Sequence, residues 1–346
     1  MRKAAWAFVV ATLILPGSAV AHMRPDDKPA AAAPPQPTLK LEQVGEGAYC
    51  LYGQGGNIGV VVTPKAVVMV DTQFERLAPM IADEIRKVSP SAIRYVINTH
   101  HHFDHTGGNK YFAGIADIIG QENVRSRLFS GPAFAQANYP GRIKEFESLL
   151  ASGKPMDPAY KKVIDGRVQL YKAILGASQS FKPEEVYAPN ILYKDSMKLY
   201  LGDEEVQIFH IAPGHTDGDS IVYFPKRKVV HMGDVFVNQT YPFIDIDGGG
   251  SSQGWLKTLD EVLAKLPADT RVIPGHGNAA GVTELKRFRG YINDLRAAVS
   301  AAIGSGKSLE EAVRDIKLEG YADMKADFMS LPLNVDQVWQ EMDGKR

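Results

Sequence analysis

Cysteine is almost absent from this sequence, since Cys50 is the single one among 346 residues. No intramolecular disulfide can form, so the hydrophobic core has to stabilise the fold. Metal sites that need several thiolates are excluded as well, which leaves imidazole and carboxylate groups as candidate ligands. Cys50 lies in the strand-like segment Ala48–Tyr52, a position that favours a buried core thiol over a reactive one.

A strong charge of one sign and internal repeats are also missing. The formal net charge is −1, with 45% hydrophobic and 23% charged residues, the composition of an ordinary globular protein. No basic stripe with interleaved aromatic residues occurs, so nucleic acid is not a predicted partner. The triple glycine Gly248–Gly250 lacks the lysine and the spacing of a P-loop, and it predicts a flexible loop instead. No serine nucleophile is predicted.

The N-terminus has the pattern of a secretory signal. Two basic residues precede the apolar run 4–15, and Ala-Val-Ala at 19–21 marks a cleavage site. The apolar run is too short and wrongly flanked for a membrane-spanning helix, with an uncleaved anchor as the alternative. We therefore predict a signal peptide at 1–21, followed by an Ala- and Pro-rich disordered linker at 22–38. The mature protein is expected in the periplasm or outside the cell, with no membrane partner.

Strand-like and helical segments alternate over residues 39–304, which predicts one α/β domain. The segment at about 121–193 differs, and its amphipathic spacing predicts a helical insertion that flanks the site and covers it. We expect a short helix at 143–150 in this insertion, because several glycine and proline residues interrupt the pattern. Residues 305–346 are interpreted as a C-terminal helical extension.

The most informative stretch is 99–108, which reads Thr-His-His-His-Phe-Asp-His-Thr-Gly-Gly. It follows the apolar run Ile93–Ile97, whose β-branched and aromatic residues predict a buried strand. The histidines thus lie on the loop that leaves the carboxyl end of a strand, where open α/β folds bind ligands. An exposed loop has no structural need for four imidazoles, so the stretch predicts a metal site.

Three further metal-capable residues each follow a strand-like run, namely His215, Asp234 and His276. If these strand ends share one edge with the histidine stretch, seven nitrogen and oxygen ligands converge there. Seven such ligands suit two divalent ions better than one, and imidazole with carboxylate favours zinc, manganese or iron over calcium.

The pattern His100-x-His102-x-Asp104-His105, followed in order by His215, Asp234 and His276, resembles the metallo-β-lactamase superfamily. The resemblance implies an αββα sandwich, with two facing mixed β-sheets, helices on both outer faces and the metal site at one rim. It further implies which residues hold each ion. The first ion would be held by His100, His102 and His215, the second by Asp104, His105 and His276, and both by a bridging Asp234.

The same resemblance implies supporting roles for other residues. Asp71, at the end of a strand, would steady the histidine loop by hydrogen bonds, while His101 matches no ligand position and is expected to point away. Asp219 and Thr216 either orient His215 or are turn residues. Tyr241 and Phe243 either contact substrate or pack in their loop.

The expected activity follows from two metal ions that share a water molecule. Such ions lower the pKa of the water and supply a bridging hydroxide, which attacks an electrophilic centre. Asp104 and Asp234 would orient the water and accept its proton. We expect an exported hydrolase with two Zn²⁺ per chain, iron or manganese being alternatives. Its small-molecule substrate would have an ester, lactone or cyclic amide bond, with β-lactams as candidates.

Other functions remain open at this point. Having both His105 and Asp234 resembles the lactonases, thioesterases, sulfatases and phosphodiesterases of the family more than its best-known β-lactamases. An iron-dependent oxidoreductase similar to persulfide dioxygenases is the alternative from a different class, and a non-catalytic metal-binding protein is a third.

Overall fold

The computed structural model describes residues 37–179, 182–326 and 328–344. The predicted signal peptide and nearly all of the predicted linker lie outside the described residues. Within these ranges the strands form two mixed sheets. The first sheet contains, in spatial order, β1 (Lys40–Gly45), β2 (Ala48–Tyr52), β3 (Ile58–Val62), β4 (Val67–Val70), β5 (Ile93–Ile97), β6 (Asp117–Gln121) and β7 (Ile191–Tyr193).

The second sheet follows later in the chain. It contains, in spatial order, β13 (Ala280–Gly281), β12 (Arg271–Ile273), β11 (Val229–His231), β10 (Ile221–Phe224), β9 (Glu204–Phe209) and β8 (Ser196–Leu201). Strands β4 to β7 are parallel to one another in the first sheet, and β11 is parallel to β12 in the second. The remaining neighbours are antiparallel.

The helices cover the sheets or connect their strands. They are α1 (Ala78–Arg86), α2 (Phe103–Thr106), α3 (Asn109–Phe112), α4 (Glu122–Ala151), α5 (Pro158–Gln179), α6 (Ser252–Lys265), α7 (Val282–Gly304), α8 (Leu309–Asp315) and α9 (Leu331–Asp343). In the part of the chain that the structure describes, none of these helices has the length and apolar character that crossing a membrane requires.

The hydrophobic core has three layers that match the sandwich. Between the sheets, Val68 and Val70 of β4 belong to one buried cluster with Val206 and Ile208 of β9. A second cluster joins α1 to the outer face of the first sheet. A third joins α6, α7 and α9 to the outer face of the second sheet. Because apolar side chains cover both faces of each sheet, helices must lie outside, and the predicted αββα architecture is confirmed.

The first helix of the insertion differs from its prediction. Instead of a short helix at 143–150, α4 is one continuous helix of 30 residues with Pro132 and Pro140 inside it. A proline in a helix interior costs about 3 kcal/mol because it lacks an N–H donor and crowds the preceding turn. The buried face of α4 offsets this cost, since Tyr139 and Ile143 pack against α5 in a hydrophobic cluster of their own. Long-range packing overrides the local proline signal here.

The topology brings the predicted site residues to one rim. The histidine stretch leaves the carboxyl end of β5, next to the same end of the parallel strand β4, which Asp71 follows. In the second sheet, Asp234 and His276 follow the parallel strands β11 and β12. His215 follows β9, which runs in the same direction as β11 because both are antiparallel to β10.

Candidate metal centre

Seven predicted ligand residues meet at this rim in two groups. The first group consists of His100, His102, His215 and Asp234, and the second of Asp104, His105 and His276. In each group the candidate ligand atoms all lie within 4.8 Å of one another. These are the two sets that the sequence resemblance implied, and the structure brings them together from residues up to 176 positions apart in the chain (276 minus 100).

Asp234 connects the two groups. Its Oδ2 lies 3.6 Å from His215 Nε2 in the first group and 3.5 Å from His276 Nε2 in the second. Its Oδ1 lies 3.2 Å from His105 Nε2. A carboxylate with one oxygen facing both groups has the geometry of a bridging ligand.

The donor set fits divalent cations. Among the described residues, His100 Nε2 is buried without a hydrogen-bond partner, and such an atom is costly unless something binds it. Other imidazole nitrogens face each other, with His102 Nδ1 3.0 Å from His215 Nε2 and His105 Nε2 3.4 Å from His276 Nε2. Neutral imidazole and carboxylate together suit zinc, manganese or iron, so the residues present fit the metal that the sequence predicts.

The electrostatics of the two groups differ. Burial lowers the pKa of His215 to about 4, so this imidazole is neutral and able to bind a metal at pH 7. Burial also acts to lower the pKa of His276, but the carboxylates of Asp234 and Asp104 outweigh it and raise the pKa to about 10. The pKa of His105 is raised for the same reason. Without a metal, protons on the second group therefore balance its carboxylates.

Asp71 fixes two of the histidines, as the resemblance implied. Its Oδ2 accepts hydrogen bonds from His105 Nδ1 and from the Thr99 hydroxyl, both at 2.7 Å, and its Oδ1 accepts from the Thr99 N–H at 2.7 Å. The Thr99 hydroxyl in turn lies 3.0 Å from His100 Nδ1. With Nδ1 of His105 and of His100 engaged in this way, each Nε2 is left to face the metal groups.

Asp245 contacts the first group, and sequence reasoning missed it. Its Oδ2 lies 2.9 Å from His102 Nε2, and its Oδ1 accepts from the Gly248 N–H at 2.8 Å. Its own N–H donates to the carbonyl of His215 at 3.1 Å. Asp245 thus touches two members of the first group. It lies in the sequence Phe-Ile-Asp-Ile-Asp at 243–247, and no local spacing there signals a role beside a metal.

The expectations for the neighbours of His215 are resolved by its hydrogen bonds. His215 Nδ1 donates to the carbonyl of Phe243 at 2.6 Å, and the Phe243 ring stacks on His102 with centroids 5.8 Å apart. Asp219 instead accepts hydrogen bonds from the N–H and the hydroxyl of Thr216, so these two form a turn. Tyr241 packs against Tyr291 on the outer side of the second sheet, away from the two groups.

His101 belongs to neither of the two groups, but it does not point away from the site as expected. With His102 and Asp245 it forms a third cluster whose candidate ligand atoms lie within 4.8 Å of one another. Its Nδ1 is buried without a hydrogen-bond partner in the structure, and its Nε2 lies 3.8 Å from Asp245 Oδ2. His210 Nδ1 donates a hydrogen bond to the carbonyl of Asp219 at 2.8 Å, which is a structural contact.

The triple glycine Gly248–Gly250 lies in a loop whose backbone groups form hydrogen bonds with one another. The N–H groups of Gly249 and Gly250 donate to the carbonyls of Ile246 and Asp245. Gly249 has φ +79°, in the left-handed region that favours glycine, and a Cβ there would lie 2.7 Å from the carboxylate of Asp217. Tight packing beside Asp217 is therefore the reason for glycine at position 249.

The next residues, 250–254, read Gly-Ser-Ser-Gln-Gly and fit the Gly-x-Ser-x-Gly pattern of serine hydrolases, a match that the sequence interpretation overlooked. The structure argues against a nucleophile there. Ser252 is fully buried at the start of α6, and its hydroxyl is engaged by Glu341 and Arg296.

The sequence profile of the metallo-beta-lactamase superfamily matches residues 51–276. Among curated proteins, the linear primary-alkylsulfatase of Pseudomonas sp. (strain ATCC 19151) is 23% identical over 75% of this chain and 49% of its own length. The type 2 metallo-beta-lactamase of Elizabethkingia meningoseptica is 22% identical over 87% of this chain and 99% of its own. The chain thus spans about half the length of the alkylsulfatase that it matches and nearly all of the lactamase.

Solved structures show the same fold. The stereoselective inverting sec-alkylsulfatase Pisa1 from Pseudomonas sp. has a TM-score of 0.62 at 18% identity, over 89% of this chain and 51% of that one. The DIM-1 metallo-beta-lactamase has a TM-score of 0.52 at 17% identity, over 75% of this chain and 99% of that one. The family match and the two curated relatives support the predicted metal-dependent hydrolase. The profile match covers 226 residues (276 minus 51, plus one), well over half of the 346, and the chain therefore belongs to the metallo-beta-lactamase superfamily.

Proposed function

We propose that this protein is a dinuclear, zinc-dependent hydrolase that cleaves an ester, lactone or cyclic amide bond. The observation that carries the proposal is the position of Asp234, whose carboxylate faces both ligand groups at 3.2–3.6 Å. Two groups that share one carboxylate favour two ions over one. When bound, two such ions supply a hydroxide at neutral pH and stabilise the oxyanion that develops on the substrate.

The residues of the chain then have distinct parts. His100, His102 and His215 would hold the first ion, and His105 and His276 would hold the second with Asp104. The Asp104 side chain is 31% exposed and its Oδ2 lies 3.2 Å from His276 Nε2. It therefore combines access to solvent with a position beside the ligands, which suits a group that orients the attacking water and accepts its proton. Asp234 shares this orienting role from the buried side.

Exposed aromatic side chains flank both groups and suit a substrate with an apolar part. Phe103, between two ligands in the chain, is 64% exposed and contacts Phe74 with ring centroids 5.7 Å apart. Phe328 is 54% exposed and lies edge-on to Phe243, the ring that stacks on His102. The apolar surface and the two alkylsulfatase relatives favour a second candidate activity, hydrolysis of sulfate esters that carry an alkyl chain.

We further propose that the protein is exported, with residues 1–21 removed as a signal peptide. The support is the sequence pattern of basic, apolar and small residues at the N-terminus. N-terminal sequencing of protein recovered from a periplasmic fraction tests it, since a mature chain that begins at residue 22 is expected and an intact N-terminus would contradict it.

A substrate panel with metal analysis of the same sample tests the proposed activity. The panel contains an acyl lactone, a thioester, nitrocefin, an alkyl sulfate and a phosphodiester, each with and without a chelator. Turnover of a member of the first three that is lost on chelation and restored by Zn²⁺ supports the proposal. Preferential turnover of the alkyl sulfate supports the second candidate. One iron per chain and oxygen-dependent turnover would instead establish the oxygenase alternative, and no chelator-sensitive turnover would contradict all of these.

A further inference from the structure

Helix α4 reaches the loop that supports the first ligand group. We call residues 245–250 the Asp245 loop. Arg127 of α4 donates to the carboxylate of Asp217 through Nε at 3.1 Å and Nη2 at 2.6 Å. The same guanidinium donates through Nη1 to the backbone carbonyl of Asp247 at 3.1 Å. One side chain of the insertion thus ties the Asp245 loop to the segment that follows His215.

Further along α4, Arg142 makes a second contact with the Asp245 loop. Its Nη1 donates to Asp247 Oδ2 at 2.7 Å, and the hydroxyl of Tyr139 donates to the same oxygen at 3.2 Å. Both arginines are partly buried, at 28% and 34% side-chain exposure. Hydrogen bonds between guanidinium and carboxylate in such surroundings are stronger and more directional than those of exposed pairs.

Asp217 completes the connection to the ligand side. Its N–H donates to the carbonyl of Gly248 at 3.1 Å, and its carboxylate packs in the space where Gly249 has no Cβ. Gly248 in turn donates its N–H to Asp245, the residue whose other oxygen lies 2.9 Å from His102 Nε2. A continuous chain of hydrogen bonds therefore runs from α4 to a histidine of the first group.

We propose that α4 is a positioning element for the first ligand group, acting through Arg127 and Arg142 on the Asp245 loop. By fixing this loop from outside, the two arginines keep Asp245 aligned with His102 and with the carbonyl of His215. This inference rests on the proposed metal site. Groups that orient metal ligands set metal affinity by limiting the rotation of those ligands, so the insertion has a role at the site although neither arginine contacts a ligand.

Arg127→Lys tests the inference, because lysine keeps the charge and loses the forked geometry. Arg167→Lys is the matched control, since Arg167 lies on α5 of the same insertion and also makes a two-pronged contact, to Asp336 of α9. Both are made in a His276→Ala background, which disables the second group. Zn²⁺ affinity is measured by competition with a chromophoric chelator. We expect Arg127→Lys to weaken binding by about tenfold, the low end of the range for indirect ligand support, and Arg167→Lys to leave it unchanged.

Hydrogen exchange of the metal-free proteins gives an independent readout. Amides in the Asp245 loop should exchange faster in Arg127→Lys and at the wild-type rate in Arg167→Lys. In an Asp245→Asn background, Arg127→Lys should weaken Zn²⁺ binding by less than about twofold further, because the two residues act in series.

Three results would overturn the inference. The first is equal Zn²⁺ affinity in the Arg127→Lys variant and its parent. The second is a loss of Zn²⁺ affinity in the Arg167→Lys control as large as that in Arg127→Lys. The third is an undiminished loss of Zn²⁺ affinity when Arg127→Lys is added to Asp245→Asn. If the His276→Ala parent and the wild type both bind no metal, the proposed function fails, and the inference fails with it.

Discussion

The two ligand groups are alike in construction and different in surroundings. Each has an aspartate behind it, the buried Asp71 at 2.7 Å from His105 Nδ1 and the partly buried Asp245 at 2.9 Å from His102 Nε2. The first group is enclosed, with the His215 side chain only 1% exposed, whereas the side chain of His276 in the second group is 36% exposed. Enclosure slows ligand exchange with water, so the first group should hold its ion longer and the second should be the one that meets substrate.

The supports also differ in where they come from. Asp71 lies directly after β4, beside the strand that carries the histidine stretch, so the support of the second group is built from two neighbouring strands. Asp245 depends on contacts with α4 and with the turn after His215. The first group therefore relies on a larger part of the fold and is the one that distant substitutions should disturb.

The largest effect is expected from Asp234→Asn, because Asp234 is shared. Loss of its charge removes the one carboxylate common to both groups, and hydrolysis should fall by roughly 10²–10³-fold or more. Zinc content should also drop in both groups when it is measured by elemental analysis after dialysis. Asp260→Asn on α6, which breaks an exposed ion pair with Arg289, is the control. Retention of both ions by Asp234→Asn would show that it is not a bridging ligand.

A substitution that disrupts only the second ligand group tests the difference between the two groups. His276→Ala should keep the first ion and lose the second, so that bound zinc falls from about two to about one per chain. In the wild type, a limiting amount of chelator should remove the ion of the more exposed second group first and leave a one-zinc form. After Co²⁺ substitution, this form should have the same spectroscopic signature as His276→Ala. Different signatures for the two one-metal forms would mean that the first group, and not the second, loses its ion more readily.

Substituting the aspartate that supports each group is expected to give the next smaller effect on metal affinity. Asp245→Asn should weaken the first ion by about 10–100-fold and leave the second unchanged. Asp71→Asn should weaken the second ion by a similar factor, with an additional effect on the first through Thr99 and His100. Affinities of the two ions from calorimetric titration decide this. Identical patterns in the two variants would mean that the groups do not have separate supports.

The smallest effect concerns the aromatic flanks. Phe103→Ala and Phe328→Ala each remove exposed apolar surface, so a substrate with an alkyl chain should lose about 1 kcal/mol of binding, or about fivefold in KM, with kcat retained. Thermal unfolding should change little because both side chains are exposed. Steady-state kinetics with short- and long-chain substrates measures the effect, and a KM that is independent of chain length in both variants would exclude these residues from substrate binding.

The site residues that could be predicted from the sequence are those that follow a strand in the chain. The histidine stretch, His215, Asp234 and His276 each come after a short apolar run, and parallel or alternating strands necessarily bring such ends to one rim. The contact of Asp245 with His102 joins residues 143 positions apart. No local pattern encodes that contact, because it depends on how a loop folds back against α4.

The length of the first helix in the insertion was mispredicted for a related reason. Proline and glycine residues in α4 are local signals for a helix end, but the burial of Tyr139 and Ile143 against α5 is a tertiary contact that keeps the helix continuous. Periodicity alone did not identify β6 and β7, the strands at the borders of the insertion. β7 has only three residues and pairs with β6 across the whole length of the insertion.

Anomalous diffraction from crystals of the metal-loaded protein tests the central claim most directly. Data collected on both sides of the zinc absorption edge should show two peaks. One is expected among His100, His102 and His215, the other among Asp104, His105 and His276, with the carboxylate of Asp234 between them. A single peak at the first group, a signal at the iron edge alone, or a peak that does not contact Asp234 would contradict the dinuclear account.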